Sequence, residues 1–183
     1  TSRDMIHFRI GEIKLKNKRF AEAAQSFGKV QWGSSLYNQS LYNRGLAELE
    51  QNNAATASKI FQQLLNLRTK APVTDTNKVA AQMALARALY QKQDWDASVE
   101  AYAQIPRDHF MWHDALFEQS WAMLRSARFR SVLSNFQSLH SSYYEDFFIP
   151  ESLLLRAIVY LYICMYYEME KVVGLFEKSY GPV

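Results

Sequence analysis

Apolar and polar positions along this chain repeat on two scales. Within short stretches the apolar positions return every three to four residues, the mark of helices with one buried face. On the longer scale, matched residue types return at one fixed distance. Gly11 and Gly45 are 34 residues apart, as are Ala23 and Ala57, and Phe27 and Phe61. Trp95 and Phe129, Tyr102 and Phe136, and the small residues Ala86 and Ser120 repeat that distance. The pattern predicts ten helices, over 3–16, 19–31, 34–50, 53–67, 76–91, 94–105, 108–125, 129–140, 150–165 and 167–179. Pro72, Pro106, Pro150 and Pro182 all fall between helices or at their edges. Pro150 with Glu151 reads as a first helical turn. Asp75 or Thr76 is expected to cap the fifth helix, and Asp108 the seventh. The period breaks twice. Gly45 to Ala86 is 41 residues, which places an insertion near 69–77, and Ser120 to Ala157 is 37, which places another near 141–149. The aromatics of that second loop are expected to tuck against the helices or to form a contact patch.

The two helices of each pair must cross closely, so one position on the first is small and a ring from the second fills the gap. On that reading Gly45→Leu should destabilise by about 2–4 kcal/mol. Gly45→Ala should be tolerated, because helix propensity favours alanine by about 1 kcal/mol.

The small positions are Gly11, Gly45, Ala86, Ser120 and Ala157. The second-helix pairs are Ala23/Phe27, Ala57/Phe61, Ser98/Tyr102, Val132/Phe136 and Met169/Val173. Phe20, Trp95, Phe129 and Tyr166 open second helices, with Ala54 departing from the pattern. This arrangement resembles the tetratricopeptide repeat (TPR) family, whose period is 34 residues with a small residue in the first helix and A-x3-F in the second. The family's first-helix Trp is absent; His7, Leu41, Gln82, Leu116 and Leu153 stand there. The resemblance implies an all-α fold, a right-handed superhelical solenoid of about five helix-turn-helix repeats. These would lie at about 4–37, 38–71, 79–112, 113–146 and 150–183 and form one array over 1–183. The first methionine is Met5 and the chain ends on Gly181-Pro182-Val183, which suggests a piece of a longer protein.

Composition narrows the class. Apolar residues make up 49% of the chain, too many for a disordered tail. The net charge of +3 is uneven, at +6 over residues 1–70 and −3 over 71–183. Lys14, Lys16, Lys18 and Arg19 cluster at a helix end, where cations suit the helix dipole or an anionic partner. A nucleic-acid-binding groove would need more cations than the inward positions carry. Cys164 is alone, so it forms no internal disulfide, and its apolar surroundings suggest a buried small hydrophobe.

Catalytic chemistry finds little to work with. His109 and His113 stand four apart, on one face if both are helical, with Asp114 beside them, but HExxH and CxxC patterns are absent. No GxSxG, P-loop or GxGxxG occurs. The reading is a non-enzyme with no catalytic residue, metal or cofactor. Residues 153–167 are apolar except for Arg156, and too short and interrupted for a membrane span, which wants about 20 residues.

The resemblance also implies where a partner would lie, because first helices of the family line a concave groove. Transferred position by position, the partner-binding residues are Tyr42, Leu46, Met83, Arg87, Tyr90, Phe117, Trp121 and Arg125. Phe8, Glu12, Leu15, Leu49, Leu124, Leu154, Ile158 and Leu161 complete the stripe at helical spacing. Some members hold chaperone C-terminal carboxylates through a Lys/Asn clamp. Phe8, Glu12, Tyr42, Leu46, Met83 and Arg87 stand at those places, so the clamp is absent. The expected function is a scaffold or adaptor that binds an apolar-anchored peptide or helix. The alternative is a substrate-recruiting or regulatory domain of a larger enzyme. The partner is another protein or peptide, not nucleic acid. The repeat style resembles bacterial envelope and motility-associated proteins, which implies a periplasmic or envelope location. In the ninth helix Leu153, Ala157 and Tyr160 are expected to face the core. That leaves Leu154, Ile158, Leu161 and Tyr162 uncovered, with self-association through the C-terminal repeat as one way to cover them.

Overall fold

A computed structural model describes residues 2–67, 75–141 and 150–181. Among the described residues there are ten helices and no strand: α1 Ser2–Lys16, α2 Phe20–Phe27, α3 Tyr37–Glu50, α4 Ala54–Leu65, α5 Asp75–Gln91, α6 Trp95–Ala103, α7 Trp112–Arg125, α8 Phe129–Leu139, α9 Pro150–Tyr162 and α10 Tyr166–Tyr180. They pair as antiparallel hairpins, each with a leading and a trailing helix. The chain divides into two compact units, Thr1–Ile105 and Pro106–Val183. In the first, α1/α2, α3/α4 and α5/α6 form hairpins, α2 packs on α3, and α4 packs on α5. In the second, the hairpins are α7/α8 and α9/α10, and α8 packs on α9.

The small positions do what the crossing requires. A Cβ built on Gly11 would lie 2.6 Å from Phe27 Cε1, and one on Gly45 would lie 2.6 Å from Phe61 Cε1 and Cζ. Phe27 and Phe61 are buried. In the later hairpins Ala86, Ser120 and Ala157 occupy the same place, so a Cβ can be housed where the hairpin is built around it. Polar bonds lock neighbouring helices. Ser40 Oγ on α3 donates to the Phe27 carbonyl at 2.8 Å, and Ser98 Oγ on α6 donates to the Ala86 carbonyl at 2.9 Å.

Each hairpin turns in the same way. Lys18, Asn52, Gln93, Ala127 and Cys164 all have positive φ, between 57° and 67°. Each lies seven residues after its hairpin's small position. The next amide donates back five residues: Arg19 to Lys14, Asn53 to Glu48, Asp94 to Leu89, Arg128 to Met123 and Met165 to Tyr160, at 2.8–2.9 Å. This is the Schellman closure of a helix end. It is normally a glycine's place, because a Cβ in the left-handed region costs about 1–2 kcal/mol. None of the five is glycine.

Several expectations are corrected. The second helix ends at Phe27, with Gly28 as its cap, rather than running to 31. The seventh begins at Trp112 with Met111 at its N-cap, so Asp108 does not cap it. Cys164 is exposed in a turn, not buried in a helix, because the Schellman closure ends α9 before it. The insertion around 69–77 lies largely outside the described residues, as do the side chains of Asp75 and Thr76 and the loop over 142–149.

Gly45→Ala is the expectation that the geometry reverses. The added methyl meets a fully buried ring, and overpacking of this kind costs about 1–3 kcal/mol, more than the gain in propensity of about 1 kcal/mol. Gly174, by contrast, has nothing within 4 Å of its would-be Cβ. Thermal melts should therefore move in opposite directions, with Gly45→Ala less stable and Gly174→Ala more stable by about 1 kcal/mol. Gly45→Leu should be the worst of the three. Independently, Ala127→Gly should raise stability by about 1 kcal/mol by relieving its left-handed backbone. Asn52→Gly should gain less, because asparagine tolerates that region.

Candidate partner-binding surfaces

The stripe proposed for binding divides between the two units. In the first unit, Tyr42 and Leu46 on α3 are half-buried, and α3 touches α5. Tyr42 packs at 6.0 Å from the Phe61 ring and against the cluster of Leu41, Ile60, Leu64 and Ala81. Burial raises its phenol pKa above the usual tyrosine value, and the nearby Arg87 charge partly opposes that. Arg87 is exposed and Tyr90 half-buried, its ring edge-on to Trp95 at 4.9 Å. Met83 is 1% exposed. It belongs to the core beneath this face rather than to the face itself, because α5 is covered on more sides than a single groove would leave. Phe8 is likewise buried, packed edge-on to Phe27 at 5.7 Å.

In the second unit, Phe117 and Trp121 on α7 are half-buried and Arg125 is exposed. On α9, Leu153, Ala157 and Tyr160 join a buried cluster with Val172, as expected. Leu154, Ile158, Leu161 and Tyr162 are exposed, also as expected. A cleft of about 650 Å³ opens beside the turns of this unit, lined by Arg128, Phe129, Ile163 and Met165 among others.

The basic cluster at the end of α1 is partly neutralised. Arg19 pairs with both carboxylate oxygens of Glu22 at 2.7 Å, and Lys14 reaches Glu22 at 3.4 Å. The Arg19 hydrogen bond is the main reason that the Glu22 carboxyl titrates below its usual range. This is the arrangement of a solvated helix end. His109 precedes α7, where its Nδ1 accepts the Met111 amide at 3.2 Å. It is not helical, so it does not share a helix face with buried His113. No cluster of three or more metal-ligating side chains exists among the described residues, and no helix among them is long and apolar enough to cross a membrane.

One polar cluster was not anticipated. His140, after α8, sits 2.6 Å through Nε2 from Ser152 Oγ on α9. An Arg156 guanidinium nitrogen lies 3.3 Å from its Nδ1, and another donates to the Tyr160 hydroxyl. The guanidinium can only donate, so Nδ1 accepts and Nε2 carries the proton toward Ser152. A general base needs the opposite tautomer, and Ser152 is fully buried, so the pair pins α8 to α9 rather than activating a nucleophile. The clue in the sequence was the pairing of His140 with a serine and an arginine four residues apart on the next helix, which carries no motif.

The 34-residue recurrence, the small-residue and ring interlock and the repeated hairpin turn agree with a match to a tetratricopeptide-repeat family model over residues 39–68, the α3/α4 hairpin. That hairpin is a tetratricopeptide repeat, and the chain as a whole has the all-helical fold of proteins built from such repeats. Its fold is shared by solved structures of low identity. MamA of Desulfovibrio magneticus RS-1 superposes with a TM-score of 0.80 at 11% identity, covering 100% of this chain and 99% of that one. The nearly identical TPR-like repeats of a putative kinesin light chain from Podospora anserina give 0.72 at 14% identity, covering 97% and 94%. MamA from strain AMB-1 gives 0.70 at 13% identity, covering 96% and 91%. No curated protein sequence matches the chain.

The His140 cluster gives this repeat protein a pH signature. Burial, and then the Arg156 charge, lower the imidazole pKa to about 4. Burial lowers that of His113 too, against the opposing Asp114 charge. The unfolded chain binds a proton on the His140 ring below the usual histidine pKa, while the folded chain does not until about 4. Stability should fall as the pH drops through that window and level off on this account below it. Melting temperatures across the window should show the decline, and His140→Gln should flatten it.

Proposed function

We propose that this protein is a scaffold whose leading helices hold an apolar-anchored peptide or helix. The observation that carries the reading is the half-covered state of Tyr42, Leu46 and Tyr90 beside exposed Arg87, and of Phe117 and Trp121 beside exposed Arg125. A leading helix with no further task would turn polar residues to water. Aromatic side chains with one face already packed are pre-positioned and lose little freedom on binding, which is why such residues dominate interface energetics. The adjacent guanidiniums can pair with backbone carbonyls or carboxylates of the bound segment. Each unit carries such a face, and each can be tested by itself.

We also propose self-association through the C-terminal repeat, supported by the exposed Leu154, Ile158, Leu161 and Tyr162 of α9.

For the leading-helix faces, peptides selected against the wild-type chain should lose affinity when an anchor is cut. Removing a central anchor costs about 2 kcal/mol or more, a loss of roughly thirtyfold. Titrations of Tyr90→Ala, Trp121→Ala and the double variant should show that loss while circular dichroism remains helical. Unchanged affinity in a folded double variant would move the binding site elsewhere.

A further inference from the structure

Every leading helix has an inner face, toward its own trailing helix, and an outer face. Within each unit the preceding hairpin's trailing helix covers that outer face. On α3 the outer positions are Ser40, Arg44 and Ala47. Ser40 bonds the Phe27 carbonyl, Arg44 reaches over Gly28, and Ala47 packs with Ala23, Ala24 and Phe27. On α5 the same register gives Ala81, Leu85 and Ala88, all buried, with Ala81 packed on Ile60 and Leu64 of α4. On α9, which packs on α8, it gives buried Ser152 and Val159.

On α1, 34 residues before the α3 set, this register gives Ile6, Ile10 and Ile13. They are 57%, 38% and 61% exposed. Three isoleucines thus stand exposed on α1 at the positions that other hairpins bury.

The last helix of the second unit shows the complementary half. The trailing-helix residues that receive α3 include Ala24, Phe27 and Gly28, and 146 residues on, α10 presents Glu170, Val173 and Gly174. Phe27, Phe61 and Phe136 are buried at the Val173 position, but Val173 is 37% exposed. A Cβ on Gly28 would meet the Arg44 guanidinium at 3.6 Å, whereas one on Gly174 meets nothing. The flanking charges also match. Exposed Arg3 and Lys16 border the isoleucine stripe, together with Arg9, which is paired with Glu12 at 2.7 Å. Exposed Glu170 and Glu177 border the α10 face, together with Lys178, while Lys171 is turned to Glu168 and the Tyr167 ring.

We infer that these ends are two halves of one interface, and that α1 of one copy docks on α10 of another as α3 docks on α2. Ile10 then sits over Gly174, and Ile6 and Ile13 cover Val173. The contact is heterologous, so copies join head to tail. This places the self-association of the C-terminal repeat on α10 rather than on the exposed residues of α9, through which association would survive variants that block α1 or α10, and it is independent of the leading-helix faces.

Sedimentation velocity of the 183-residue chain over a wide concentration range tests it. The wild type should grow in mean mass with concentration. Ile13→Lys blocks one end and Gly174→Arg the other, and each should be monomeric alone. Mixed in equal amounts they should form a dimer and nothing larger, because each retains the half that the other lacks. Melting curves confirm that both are folded, and Ile6→Lys replaces Ile13→Lys if that variant is not. Tyr90→Ala and Trp121→Ala should leave association unchanged, so loss of peptide binding and loss of assembly report on separate readings. A wild type that stays monomeric overturns the inference, with the isoleucine face then left for a different protein's helix. So does association that survives both blocking variants, or a mixture that stays monomeric.

Discussion

The structure depends on a single steric bargain, a small residue on each leading helix where the trailing helix crosses it, with a ring filling the gap in the first four hairpins. Phe27 over Gly11 and Phe61 over Gly45 bring two helix backbones closer than ordinary side chains allow. That closeness lets the turn be short. A short turn needs a sharp helix end, and the Schellman closure supplies it at Lys18, Asn52, Gln93, Ala127 and Cys164. The constant seven residues between interlock and turn follows from this: two helical turns carry the chain from the crossing point to its reversal. The protein accepts left-handed backbone at five non-glycine residues because the interlock and the paired hydrogen bonds over-determine the geometry there.

The interlock is also what made the fold legible. Glycine, alanine, serine and aromatic residues at one spacing are chemically distinctive, so Gly11, Gly45, Ala86, Ser120 and Ala157 fixed the hairpins without any alignment. The turn residues were not legible as left-handed, because lysine, glutamine, alanine and cysteine carry no signature of positive φ. The fate of Cys164 was misread for the same reason. An apolar neighbourhood in sequence suggested burial, but the backbone reversal puts the residue in water. Asp108 failed as a cap because the chain makes a further turn, with Trp112 N–H bonded to the His109 carbonyl, before α7 begins.

The candidate surface was legible in direction and not in depth. Spacing on a helix says which residues share a face but not how far the neighbouring helices close over it. Tyr42, Tyr90 and Trp121 ended half-covered, whereas Met83, placed on the same stripe by the same rule, is core. The difference arises on α5, where Val79, Ala81, Ala84, Leu85, Ala86, Ala88 and Leu89 are all buried. A helix enclosed on that many sides has little face left to offer, and Arg87 and Tyr90 mark what remains. The His140 cluster was hidden for a different reason. It joins two hairpins through residues that are individually unremarkable, and only their convergence makes the histidine resist protonation.

A stack of hairpins draws its stability from neighbour to neighbour, so its ends carry half the support of its middle. The last hairpin shows this directly. Val172 is the only buried residue of α10, whereas α4 buries Ala54, Ala57, Ser58, Ile60, Phe61 and Leu64. Local opening takes place first where few apolar contacts resist it. α10 is therefore the element whose order should depend most on what lies against it. Anything that docks there binds the folded hairpin and not the frayed one, and so stabilises it by mass action. An end that is weak when alone and firm when covered couples folding to assembly. A partner on the exposed face of α10 would give that hairpin the support that its neighbours give an internal one.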